Sequence, residues 1–142
     1  MKLFLDANVI FSAAHRDAGR AQDLIALAQA GRCSLLTSAH ALEEARRNLE
    51  LKSLDFGRRL SVSLTVIATV AEAPQTPVAW SQQQGLPLMD APILAAAIHA
   101  RADLLVTGDA RGFGHLYNRT LRGTKVLTPA RALEAVLTQA GA

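Results

Sequence analysis

A chain of 142 residues, half of them apolar, carrying 15 basic and 12 acidic residues and a formal net charge of +3, has the size and composition of one folded domain, which excludes an intrinsically disordered protein. No run reaches the ~18 uninterrupted apolar residues of a membrane-spanning helix, so no membrane association is expected. The apolar start MKLFLDANVIF is broken by Asp6 and Asn8, which makes it a poor secretion signal.

A single cysteine, Cys33, cannot form an internal disulfide, and no Cys/His spacing matches a zinc site. A cytoplasmic location is the expectation. Arginine outnumbers lysine twelve to three. Planar guanidinium groups suit bidentate phosphate contacts, so the small basic excess hints at an anionic partner.

In chain order, residues 2–5 read as a short, continuous and fully buried strand. Residues 8–14 turn helical, Arg16-Asp17-Ala18-Gly19 breaks the pattern, and residues 20–30 repeat apolar positions at helical spacing up to Gly31. Residues 33–37 form a second strand, and Ser38 caps a helix over 39–51. Ser53-Leu54-Asp55 opens another helix to about residue 63. The β-branched run 65–70 is assigned to a short edge strand.

Pro74 and Pro77 bracket a turn, a short helix covers 78–84, and 86–89 is a loop. Asp90 is a candidate N-cap, Pro92 suits a first helical turn, and the apolar residues 93–102 form a buried helix. Residues 103–107 repeat the pattern of the first strand and again run into a carboxylate, Asp109. One turn over 111–116, a strand at 125–128 and a closing helix at 130–139 complete the chain. Strands alternating with helices predict an α/β protein, a three-layer α/β/α domain with a central, mainly parallel sheet of four to five strands, spanning residues 1–142.

In such a sheet, ligands bind outside the carboxyl ends of the strands. Asp6 and Asp109 follow two predicted strands, Asp90 opens the buried helix feeding the second, and Glu43 and Glu44 lie in the helix after residues 33–37. Each aspartate alone is equally well explained as a helix cap, and each glutamate as part of a solvated face. Gathered on one rim, however, they would repel one another unless protonated or bound to cations. All-oxygen donors without cysteine favour Mg²⁺ or Mn²⁺ over zinc. A pair of such ions suits phosphodiester hydrolysis, because it activates a water and stabilises the leaving oxygen without a nucleophilic side chain.

The segments LFLDANVIFSA, TSAHALEEARRNL, LPLMDAPILAAAIHARADLLVTGDARGF and VLTPARAL, in this order and spacing, resemble the PIN-domain family of metal-dependent ribonucleases, which includes the toxins of VapBC toxin–antitoxin pairs. The resemblance covers nearly the whole chain. It implies an endoribonuclease acting on RNA with Mg²⁺ or Mn²⁺, an antitoxin protein as partner, and a homodimer. By position, Asp6 resembles the first metal ligand and Asn8 the polar residue that steadies it. Glu44 resembles the helical glutamate, with Glu43 as its rival. Asp90 and Asp109 resemble the third and fourth acids, and Thr107 the hydroxyl residue preceding the last. The chain departs from the family where many members carry a further acid, since Arg111 and Gly112 occupy that stretch. The alternative is therefore a PIN-like RNA- or protein-binding module with weak or absent catalysis.

Arg46, Arg47, Arg58 and Arg59 form two pairs that are either a solvated face or a phosphate-tracking surface beside the acids, with Arg111 as a further candidate. Trp80, Phe113 and Tyr117 are candidates for stacking on bases, although core packing suits Phe113 better. The four histidines have no common spacing and are read as structural. His115 alone is expected close to the acids. Asp103, at the start of its strand, belongs at the opposite end of the sheet. An Asp-nucleophile phosphatase is disfavoured, because Asn8 stands where that chemistry wants a second aspartate.

Overall fold

The computed structural model describes residues 1–16, 18–50 and 56–140. Asp17 and the expected helix opening at Ser53–Asp55 lie outside the described residues, as does Leu51 at the expected end of the preceding helix. The strands are β1 (Lys2–Leu5), β2 (Ser34–Ser38), β3 (Ile67–Val70), β4 (Leu104–Val106), β5 (Thr120–Leu121) and β6 (Thr124–Leu127). The helices are α1 (Ala7–His15), α2 (Arg20–Gln29), α3 (Ala39–Glu50), α4 (Phe56–Leu64), α5 (Gln75–Gln82), α6 (Ala91–His99), α7 (Ala110–Phe113) and α8 (Pro129–Ala140). A 3-10 turn at Gly114–Leu116 follows α7.

The six strands form one sheet in the order β3-β2-β1-β4-β6-β5, with every pairing parallel except β5–β6. Side chains alternate across this sheet. Leu3 and Leu5 join one core with α1, α2, α3, α4 and α8, while Phe4 joins the other with α6, Phe113 and Leu116. The central strands are buried on both faces, which is why β1 and β4 read as continuous apolar runs in place of alternating ones.

Successive connections carry the chain from β1 to β2 to β3 in one direction. The chain then crosses back to place β4 on the other side of β1. The order therefore reverses between β1 and β4, and the crevice beyond their carboxyl ends is where such sheets bind ligands.

Several details differ from expectation. The sheet has six strands because Thr120–Leu121 pairs with β6 through a two-residue turn at Arg122–Gly123. Both turn residues have positive φ, 49° and 92°, as this tight hairpin turn requires, but Arg-Gly lacks the Asn-Gly signature that announces it. Helix α5 begins at Gln75 and not at residue 78, since Pro77 fits in a first turn, where no N–H is needed. Helix α6 spans Ala91–His99 and not 93–102. It closes with Arg101 in the left-handed region (φ 57°), the Ala102 N–H donating to the Ala97 carbonyl at 3.0 Å and that of Arg101 to Ile98 at 2.9 Å. The edge strand β3 starts two residues late, because the end of α4 runs on through a turn in which the Thr65 and Val66 N–H groups bond Val62 and Ser63. Strand β2 spans Ser34–Ser38 and not 33–37, while Ser38 caps α3 as expected, its Oγ accepting from the Ala41 N–H at 3.2 Å.

Candidate active site

Asp6 is the first residue after β1, and its backbone N–H still donates to Val106 of β4. The side chain caps α1, Oδ1 accepting from the Ala7 N–H at 2.7 Å. Its other oxygen accepts from the Thr107 hydroxyl at 2.8 Å and from the Asn8 amide at 3.0 Å. Only 3% of Asp6 is exposed. The same residues secure the loop after β4. Asn8 Oδ1 accepts from the Gly108 N–H at 2.8 Å, and Thr107 Oγ1 from the Asp109 N–H at 3.1 Å. Asp109 in turn caps α7, Oδ1 accepting from the Gly112 N–H at 3.1 Å. The ends of β1 and β4 are thus laced together by Asp6, Asn8 and Thr107.

Asp90 precedes α6 but makes no capping hydrogen bond, contrary to its expected cap role; its backbone is already helical, at φ −93° and ψ −21°. Its carboxylate is left for the cleft. That cleft, of about 330 Å³, is lined by Asp6, Ala7, Asn8, Glu44, Asn48, Asp90 and Asp109. Glu44 lies on its wall. Glu43 lies outside it, paired with Arg47 at 3.4 Å. Asn48 escaped the sequence reading, although its position one turn beyond Glu44 places it on the same helix face.

Electrostatics mark the crowding. Burial pushes the Asp6 carboxyl up, and the charges of Glu44 and Asp109 add to this against the opposing hydrogen bonds from Thr107 and Ala7. Asp90 is raised to about 6, first by desolvation, then by the charges of Asp6, Asp109 and Glu44, and by a hydrogen bond to Asp109. The phenol of Tyr117 is raised by burial and by Asp109 and Asp6. Among the described residues, no arginine lines the cleft to offset this charge.

Sharing a cleft is not yet coordination. Among the described residues, no three His, Cys, Asp or Glu side chains are gathered to hold one ion. The acids expected on one rim therefore share the cleft without converging on one ion. Uncompensated carboxylates repel one another, and both Asp6 oxygens are turned to hydrogen-bond donors. As a donor set the four acids nonetheless suit a hard divalent cation, being all oxygen, partly desolvated and short of positive charge.

Other candidates fall elsewhere. Asp103 sits at the amino end of the sheet, accepting from the Lys2 N–H at 2.7 Å. His115, expected close to the acids, is not among the residues that line the cleft, and its ring bonds the Gln84 carbonyl at 2.7 Å. Phe113 is fully buried, and the Tyr117 hydroxyl donates to the Thr107 carbonyl at 3.0 Å. Trp80 is covered by the Arg122 guanidinium, 3.8 Å from the ring centroid. Arg59 donates to the His15 carbonyl at 3.4 Å, while Arg46, Arg58 and Arg111 are exposed.

A doubly wound α/β protein with an acid-lined cleft at its switch point is the class these features define. Residues 2–111 match the family model of the PIN domain, and the chain belongs to that family. None of the curated proteins matches it. Its fold is similar to that of VapBC2 from Rickettsia felis bound to a DNA fragment from the promoter, at 16% identity and a TM-score of 0.68 over 90% of this chain and 98% of that one. It is also similar to PAE2754 from Pyrobaculum aerophilum, at 18% identity and a TM-score of 0.65 over 98% and 100%. A third similar structure is Mycobacterium tuberculosis VapC20, a sarcin-ricin loop cleaving toxin, at 13% identity and a TM-score of 0.55 over 77% and 91%.

Proposed function

We propose that the chain is a divalent-metal-dependent endoribonuclease, a VapC-like toxin held in check by an antitoxin protein. The observation that carries this reading is the set Asp6, Glu44, Asp90 and Asp109 on one cleft, at the sheet's switch point. These four would hold Mg²⁺ or Mn²⁺, which when bound supplies an activated water and neutralises charge on the leaving oxygen. Asp6 is the fixed member, oriented by Thr107, Asn8 and the Ala7 N–H. Asp90, raised to about 6, retains its proton more readily than an ordinary carboxyl and gives it up when positive charge arrives. Among the described residues, the cleft is lined by carboxylates and amides, the donor types that attack by a metal-activated water requires. Exposed Arg46, Arg58 and Arg111 are the candidates for phosphate contacts outside it.

The antitoxin part of the reading is supported by the similarity of the fold to VapBC2. A homodimer is a further part of the reading, with the apolar groove of Ala26, Leu27, Leu133 and Leu137 between α2 and α8 as its candidate surface.

The test is incubation of single-stranded RNA with Mg²⁺ or Mn²⁺, with EDTA and Asp6→Asn as controls. Cleavage is expected to need the metal and to fall roughly a hundredfold or more in the variant. Metal-independent cleavage, or full activity of Asp6→Asn, would sink the mechanism. The second reading, an RNA- or protein-binding module without catalysis, is favoured by the incomplete gathering of the carboxylates and by Arg111 and Gly112 in place of a further acid. Calorimetry showing RNA binding with no divalent binding would select it.

A further inference from the structure

Gly112 is the third residue of α7 and is buried beneath the cleft. Its backbone does not need glycine, because its φ lies outside the left-handed region. Inside a helix, glycine costs stability relative to alanine, so another reason must hold it there in this fold. A Cβ built on Gly112 would overlap Asp90 Oδ2, and would come within 2.7 Å of Asp109 Oδ2 and 3.3 Å of Asp90 Cγ. Among the described residues, no other glycine would meet a carboxylate. The Gly112 N–H meanwhile donates to the remaining oxygen of Asp109, at 3.1 Å.

We infer that Gly112 is a positioning residue for the cation site. One hydrogen bond fixes Asp109, and the missing side chain leaves the space in which the outer oxygens of Asp90 and Asp109 stand together. The inference rests on the metal-dependent reading above. Aspartate has only two side-chain torsions, so oxygens displaced by a methyl group cannot return to the same point by another route. They would turn apart, and two of the four donors would no longer face one ion. The same geometry bears on the missing acid of this stretch, since a side chain at position 112 would fill the space between the acids already present.

The test compares Mn²⁺ binding by calorimetry in the wild-type chain and in Gly112→Ala, with thermal melts in EDTA of Gly112→Ala, Asp90→Gly and the double variant. Gly112→Ala is expected to weaken Mn²⁺ binding at least about tenfold while remaining folded. It should lower the melting temperature in the Asp90 background and lower it less in the Asp90→Gly background, where only the contact with Asp109 is left. Equal Mn²⁺ affinity in Gly112→Ala and wild type would overturn this inference alone, as would additive melting shifts. Absence of Mn²⁺ binding in the wild-type chain would overturn the metal-dependent reading and this role with it.

Discussion

Asp90 offers the sharpest test of the acid cleft, because in the metal-free protein its charge is a burden. Its carboxyl is raised from 3.8 to about 6 by desolvation and by Asp6, Asp109 and Glu44. A raised carboxyl binds its proton more tightly folded than unfolded. Its contribution to stability is therefore present below about pH 4, falls as pH rises towards 6, and stays lost above that. At about 1.4 kcal/mol per pH unit the full effect is roughly 3 kcal/mol. The side chain is partly exposed, and solvent screening reduces this to about 1.5 kcal/mol. Asp90→Asn removes the ionisation and keeps the size. In EDTA at pH 8 it is expected to melt about 4 °C above the wild-type chain. At pH 4.5 most of that gain should vanish. Adding Mn²⁺ at pH 8 should raise the wild-type melting temperature and close or reverse the gap, since the variant lacks a ligand. Melts followed by circular dichroism across this pH range measure all three. An Asp90→Asn variant no more stable than wild type at pH 8 would refute the claim that the carboxylates crowd one another, whatever the activity. Stability gained by removing a site residue is the trade-off expected where function needs converging charge.

Two further outcomes test the supports of the site and the fold. Thr107→Val keeps the shape but leaves Asp6 Oδ2 and the Asp109 N–H without the hydroxyl they share, and is expected to cost about 1–3 kcal/mol in urea unfolding; a neutral result would mean the hydroxyl does not hold Asp6. Arg101→Gly relieves a left-handed arginine at the end of α6, and should raise stability by about 0.5–1 kcal/mol in the same assay, far from the cleft and without changing Mn²⁺ affinity.

By itself the sequence determined the alternation of elements, because burial on two faces makes β1 and β4 continuous apolar runs and the helices repeat at their own period. It also determined that Asp6 and Asp109 follow strands, and the motif order that links them with Glu44 and Asp90 is readable in one dimension. It left Glu43 and Glu44 as rivals, since a slip of one residue changes the helix face. Only α3 packed beside the cleft sets Glu44 on its wall and leaves Glu43 to Arg47. The β5–β6 hairpin was hidden because Arg122 carries no turn signature and two-residue strands have no period to detect.

His115 was misplaced for a related reason. Closeness to Asp109 along the chain says nothing of direction, and the turn after α7 carries its ring to Gln84. Gly112 shows the same limit from the other side. In the sequence it reads as part of a stretch where this chain lacks the acid that many family members carry. In three dimensions it is the space between Asp90 and Asp109, and space is fixed only when distant parts of the chain meet.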